Sequence, residues 1–318
     1  MLKEKVFRVL TRIFLPSLAR NMEEEGTFKV FEGENAISNE EDYFRIEDRG
    51  ADVTVVIFSG MDVLFAGEPR FEMRKQLAGL GHNTNLVFVR DLRRLAYHVA
   101  PDGQPNGLEY YTRKLREIMN RLGAKHHVAL GSSGGGSAAF YFGARCGMDH
   151  VIAFSPAFPV SVWTGWGPLF RAVADFKALF TRPSEYVEVL LVALSASLIS
   201  HVIHKHIPAN GFWDIPDAFE SANGTRPKGT IFYGEQCGPD ARQADLTRLR
   251  LPEVKLVPVP TGRHNCPGFL KERERLAPVL HEEIRTVLRE RGFTIGLAQP
   301  PQERLIVETG ASSVPEHG

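Results

Sequence analysis

Three cysteines, Cys146, Cys237 and Cys266, are too few and too scattered to brace a fold with disulfides or to complete a four-ligand zinc site. Their scarcity fits a reducing compartment. An excess of charge is missing too: thirty-eight Lys and Arg balance thirty-eight Asp and Glu, so no overall field draws the chain to nucleic acid, and no nucleic-acid partner is expected. No apolar run reaches the ~20 residues of a membrane span. The longest, within "VEVLLVALSASLISHVI", covers about fifteen residues from Val189 to Ile203 and carries three serines. A secretory leader is not expected either, because Arg12 interrupts the apolar stretch of the first segment and Pro16 bends it. The expectation is a cytoplasmic protein. What is present, 43% hydrophobic and 24% charged side chains over 318 residues, excludes disorder as the main state and suits one large domain with an insertion.

Residues 1–26 begin with an amphipathic helix: Val6, Leu10, Ile13, Phe14 and Leu18 share one face, and Lys3, Lys5, Arg8 and Arg12 take the other. Such a helix suits docking onto the protein's own body or, through residues 1–20, peripheral contact with a membrane surface. From residue 52 the pattern alternates between short β-branched runs and longer amphipathic ones. "VTVVIFSG", "RFEMRKQLAGLG", "TNLVFVRD", "LEYYTRKLREIMNRLG" and "HVALG" are followed by "GGGSAAFYFGARCG", "VIAFSP", "GTIFYG", "PDARQADLTRLR", "VKLVPVP" and "PGFLKERERLAPVLHEEIRTVLRE". Strands that are apolar throughout, such as "VTVVIF", belong in a parallel sheet covered by helices on both faces, so the fold class is α/β and doubly wound. "TFKVF" and "YFRIE" upstream offer antiparallel edge strands. The core is thus expected over 27–156 and 228–292. Residues 157–227 break the alternation with Trp163, Trp166, Phe170, Phe180 and the long apolar run, and are expected to form a helical cap. The tail over 293–318 loses periodicity and gains Pro, Ser and Gly, as disordered ends do.

The most informative stretch is Gly131-Ser132-Ser133-Gly134-Gly135, where a strand ends and a helix begins at once. This G-x-S-x-G pattern puts a serine on a strained strand-to-helix turn, with glycines two before and two after it leaving room for neighbouring backbone. The helix N-terminus behind it offers the Gly134 N–H and a positive dipole end to a developing oxyanion. A flexible linker would not join "HVAL" directly to "AAFYFGA", since both flanks have core composition. A dinucleotide site, for which Gly134, Gly136 and Ala139 supply G-x-G-x-x-A, requires a carboxylate ending the next strand, but "VIAFSP" has none. A serine is a weak nucleophile unless an imidazole takes its proton and a carboxylate orients the imidazole. Along the chain these follow in the order serine, acid, histidine. Asp240 is the favoured acid, after "GTIFYG" and beside Pro239, with Glu235 and Asp245 as alternatives; its ordinary role would be a carboxylate on a helix dipole. His264, in "TGRHNCPG" directly after "VKLVPVP", is the base candidate. Backbone N–H groups of Met61 or Asp62, after Gly60, are candidates for the second oxyanion donor. His201, His204 and His206 lack a cysteine or carboxylate at ligand spacing, Asp214 lying past Pro208, so neither a metal nor a cofactor is expected.

These residues resemble the α/β-hydrolase superfamily, with parallel strands, the elbow "GSSGG", an acid after a late strand and a histidine after the last one. The resemblance covers roughly residues 50–292. "FSG", "FVRD", "GSSGGGSAAFYFGA" and "IAFSP" resemble more particularly a group of bacterial proteins of this fold, some linked to surface polysaccharide synthesis. The resemblance implies a mostly parallel α/β-hydrolase sheet with a helical cap, and ester or thioester chemistry through an acyl-serine. The substrate would be a small acyl compound with an apolar portion. An O-acyltransferase acting on a saccharide hydroxyl and a non-catalytic binding or scaffold protein of the same fold are the alternatives.

Overall fold

A computed structural model describes residues 42–60, 69–156, 166–206 and 227–290, with Lys5, Arg8, Val9, Arg12, Ile13, Ala19 and Glu23 near the N-terminus, the side chains of 81–83, 168, 199 and 202–206 excepted. The strand expected at "TFKVF", most of the first amphipathic segment, Trp163, Asp214 and the 293–318 tail lie outside those residues.

Seven strands form one sheet in the order β1-β3-β2-β4-β5-β6-β7. They are β1 (Phe44–Glu47), β2 (Val53–Phe58), β3 (Asn85–Val89), β4 (His126–Ser132), β5 (His150–Phe154), β6 (Lys228–Gly234) and β7 (Lys255–Val259). β1, the "FRIE" of the expected edge strand, pairs antiparallel with β3, and every other pair is parallel. Because strand side chains alternate, β2 splits its residues between two cores. Val56 and Phe58 face a layer made by α2 (Gly107–Leu122) and α3 (Gly134–Cys146), where Phe58 stacks on Phe142 at 5.5 Å. Val53, Val55 and Ile57 face the opposite layer, which includes Leu77 of α1 (Arg74–Leu77) and Leu280 and Ile284 of the C-terminal helix.

Between β5 and β6 run α4 (Gly167–Ala174), α5 (Ala178–Thr181) and α6 (Pro183–His206), and α7 (Gly238–Arg250) links β6 to β7. Two helices read as continuous in the sequence are shorter or broken. "RFEMRKQLAGLG" yields only α1 and a 3₁₀ stretch, because Met73 adopts a φ of 60° and the glycines weaken the helix. "PGFLKERERLAPVLHEEIRTVLRE" breaks at Glu274, φ 57°, into α8 (Cys266–Glu272) and α9 (Leu276–Glu290).

The loop after β3 supports the sheet beneath the Ser133 turn. Arg94, Ala96 and Tyr97 have φ of 57°, 53° and 63°, each a strained choice for a residue with a side chain. Asp91 holds them there: its buried carboxylate accepts the N–H groups of Arg93 at 3.1 Å and Tyr97 at 2.9 Å. The Tyr97 hydroxyl in turn donates to the Ser59 carbonyl at 2.9 Å. Burial outweighs these N–H groups and pushes the Asp91 carboxyl up to about 6. The folded chain therefore holds this proton more tightly than the unfolded one. Stability should fall as the pH rises from about 4 to about 6, by roughly 3 kcal/mol in all, and stay level beyond. Urea unfolding of wild type and Asp91→Asn across that window checks it: the wild type should lose ground to the variant as the pH rises, and parallel curves would remove the assignment.

Candidate active site

Ser133 stands between β4 and α3 with φ 51° and ψ −122°. Its N–H donates to the Phe154 carbonyl at 2.8 Å, which ties the turn to the neighbouring strand. The flanking glycines are required by space. A Cβ on Gly131 would lie under 3.0 Å from the Gly135 carbonyl and 2.8 Å from the Gly136 nitrogen, and one on Gly135 would lie 2.7 Å from the Ser59 carbonyl carbon and oxygen. The pattern that singled out Ser133 thus has a local cause, which is the close approach of the first turn of α3 to the ends of β2 and β4.

The loop after β7 brings His264 to this turn. Its Nε2 lies 2.8 Å from Ser133 Oγ, and its Nδ1 lies 2.8 Å from Asp240 Oδ1. Asp240, in the first turn of α7, is fully buried, as is nearly all of His264. A carboxylate on Nδ1 fixes the tautomer with the proton there, leaving Nε2 to accept from the Ser133 hydroxyl. Burial by itself would lower the imidazole pKa, but the charge and hydrogen bond of Asp240, with the charge of Glu188 added, hold it above its ordinary value. The other candidate acids lie elsewhere: Glu235 is exposed, and Asp245 points outward to Arg248 at 3.2 Å.

Of the oxyanion candidates, Gly134 is the first residue of α3, where a helix N–H has no intrahelical acceptor. Met61 and Asp62 lie outside the described residues. Gly60 just before them donates its N–H to Glu72 Oε1 at 2.9 Å, and Glu72 Oε2 accepts from the Ser132 hydroxyl at 2.8 Å. Sequence reasoning missed this carboxylate, which sits in the turn leading into α1 and ties the end of β2 to the residue before Ser133.

The segment expected to roof the site meets it through charge. Trp166, Phe170 and Phe180 are exposed, whereas Glu188, on α6, accepts the Asn265 N–H at 2.9 Å beside His264. Cys237 and Cys266 flank Asp240 and His264 as buried free thiols, with pKa values raised by burial. Among the described residues no group of three metal-ligating side chains occurs, and no helix is long and apolar enough to cross a membrane. His201 is exposed, and the side chains of His204 and His206 lie outside the described set.

No protein-family model and no curated protein matches the sequence. Among solved structures the chain is similar to a capsule O-acetyltransferase of Neisseria meningitidis serogroup A, with 14% identity and a TM-score of 0.47 over 77% of this chain and 90% of that one. A structure from a study of carboxylesterases of the thaumarchaeon Nitrososphaera gargenis shows 14% identity and a TM-score of 0.48 over 78% and 95% of the two chains. MenH from S. aureus shows 10% identity and a TM-score of 0.47 over 79% and 99%. It is the mostly parallel sheet with Ser133 on its strand-to-helix elbow, followed along the chain by Asp240 and then His264, that gives this chain the α/β-hydrolase fold.

Proposed function

We propose that this chain is a serine hydrolase acting on a carboxylic ester or thioester through an acyl-serine intermediate. The observation that carries the reading is the continuous hydrogen-bonded chain Ser133 Oγ, His264, Asp240, with both links at 2.8 Å. A serine within reach of an oriented, buried imidazole supports catalysis over a binding or scaffold role. His264 takes the hydroxyl proton as Ser133 Oγ attacks the carbonyl carbon, and the Gly134 N–H, at the positive end of α3, faces the oxyanion. Met61 or Asp62, after Gly60, is the proposed second donor. His264 returns the proton to the departing alcohol or thiol, leaving the acyl group on Ser133. Water activated by the same imidazole then releases the acid; a saccharide hydroxyl entering instead would make the chain an O-acyltransferase.

Labelling of the purified protein by a fluorophosphonate probe tests the reading, because the probe captures only an activated serine. Wild type should label, and both Ser133→Ala and His264→Ala should abolish labelling while remaining folded. Labelling that survives Ser133→Ala would place the nucleophile elsewhere, and a folded wild type that never labels would overturn the assignment.

A further inference from the structure

The inserted helix α6 touches the two loops that carry the acid and the base through a row of three charged residues. Arg182, which precedes the helix, donates from Nη1 to the Gln236 carbonyl at 3.2 Å in the loop leading to Asp240. The same nitrogen lies 3.4 Å from Glu185 Oε2, and the ends of both side chains close over Gly262, in the loop leading to His264. One turn on, Glu188 Oε1 accepts the N–H of Asn265 at 2.9 Å. Asn265 follows His264 directly, and its side chain caps α8 by accepting the Gly268 N–H at 2.9 Å, so the residue is held from both sides. In a helix whose next residues are Val189, Leu190, Leu191 and Val192, a carboxylate aimed at the base-bearing loop has no packing role of its own.

We propose that Glu188 is a positioning residue for His264: its carboxylate anchors the loop that carries the base to the inserted segment and sets a second negative charge, besides Asp240, beside the imidazole. This rests on the serine-hydrolase reading above. Two consequences follow from the arrangement. The active His264 geometry depends on α6 being seated, so the insertion helps assemble the site. The charge of Glu188 also favours the imidazolium formed when Ser133 gives up its proton. Among the described residues, the following charged and titratable groups surround the pair besides Arg182 and Glu185. Asp240 faces His264 from α7, Arg263 lies on His264's own loop and is held by Glu272 of α8 at 2.8 Å, and Cys237 and Cys266 are thiols that burial keeps neutral. Burial raises the Glu188 pKa, but the Asn265 N–H and the nearby His264 and Arg263 charges favour its ionised form.

The test is the pH dependence, from about pH 5 to 9, of the rate at which the fluorophosphonate probe labels Ser133. Wild type should show a single rise with its midpoint above 6.5, the ordinary histidine value. Glu188→Gln keeps the acceptor for the Asn265 N–H and loses only the charge. Its midpoint should fall by about half a pH unit, with a plateau within roughly threefold of wild type. Glu188→Ala loses the anchor as well, and its plateau should fall by roughly tenfold in addition. Glu188→Asp retains the charge at shorter reach and should keep the wild-type midpoint with a lowered plateau, which serves the test even if Glu188→Gln does not fold. A Glu188→Gln midpoint coinciding with wild type, or a Glu188→Asp midpoint that moves as far as that of Glu188→Ala, would overturn the proposal while leaving Ser133 as nucleophile. A wild type that never labels would instead overturn the hydrolase reading on which it rests.

Discussion

Replacing Asp240 with Asn is expected to slow acylation of Ser133 by about three to four orders of magnitude in a protein that still folds. The loss comes from the tautomer. Asp240 Oδ1 accepts the proton on His264 Nδ1 at 2.8 Å, which leaves Nε2 bare opposite Ser133 Oγ. An amide that turns its NH₂ toward Nδ1 moves the ring proton to Nε2, where it blocks the transfer that activates the serine. Asp240 has no exposed surface, so water cannot take over its role. Glu235→Gln and Asp245→Asn should each leave the rate within about threefold of wild type, because the first side chain is exposed and the second is paired with Arg248 on the surface. Rates of probe capture at limiting concentration, alongside thermal melts, separate a lost base from a lost fold. If the large loss followed Glu235→Gln instead, Asp240 would be reduced to a carboxylate on the dipole of α7.

How much of this was legible in the sequence depends on the range over which each feature is determined. The sheet is written locally, since a run such as "VTVVIF" can be buried on both faces only inside a parallel sheet, and β2 is such a strand, with all six residues buried. The Ser133 turn was legible because its cause is partly local too: Gly131 meets the backbone of Gly135 and Gly136 within the turn itself, whereas Gly135 meets that of Phe58 and Ser59. Asp240 and His264 could be ranked by their places after late strands, although the contact of His264 with Ser133 spans 131 residues of chain and appears only in three dimensions. Glu72 and Glu188 were missed for the opposite reason. Each acts on a backbone N–H, that of Gly60 or of Asn265, and a backbone donor leaves no signature in the sequence. A lone carboxylate at the head of the apolar run "VEVLLVAL" was the one available signal for Glu188. The broken helices at Met73 and Glu274 were not foreseen because amphipathic periodicity continues across both breaks, whereas backbone conformation at one residue decides them.

Gly135→Ala should be among the most damaging single-methyl additions in the molecule, with a loss above about 4 kcal/mol or no soluble protein. Propensity alone predicts the reverse, since Gly135 lies within α3 and alanine in a helix is favoured by about 1 kcal/mol. Space decides against propensity here. The added Cβ would lie 2.7 Å from the Ser59 carbonyl carbon and oxygen and would also press on the Phe58 carbonyl. These are backbone atoms and cannot swing aside as the end of a side chain could. They are also pinned, because the Ser59 N–H donates to the Val89 carbonyl at 2.9 Å and its carbonyl accepts from Tyr97 at 2.9 Å. Gly136→Ala is the control one residue on, where the nearest atoms are the Pro156 Cβ at 3.2 Å, the Pro156 Cα at 3.3 Å and the Ala153 Cβ at 3.4 Å, none closer than 3.0 Å, and a shift of a few tenths of an ångström would admit the methyl. Urea unfolding of the two variants should therefore differ by several kcal/mol. The contact that forbids a side chain at Gly135 is the one that brings the N-terminus of α3, where Gly134 lies, down onto the end of β2. A Gly135→Ala protein with wild-type stability would mean that helix and strand stand farther apart, and Gly134 would then lose its place as an oxyanion donor.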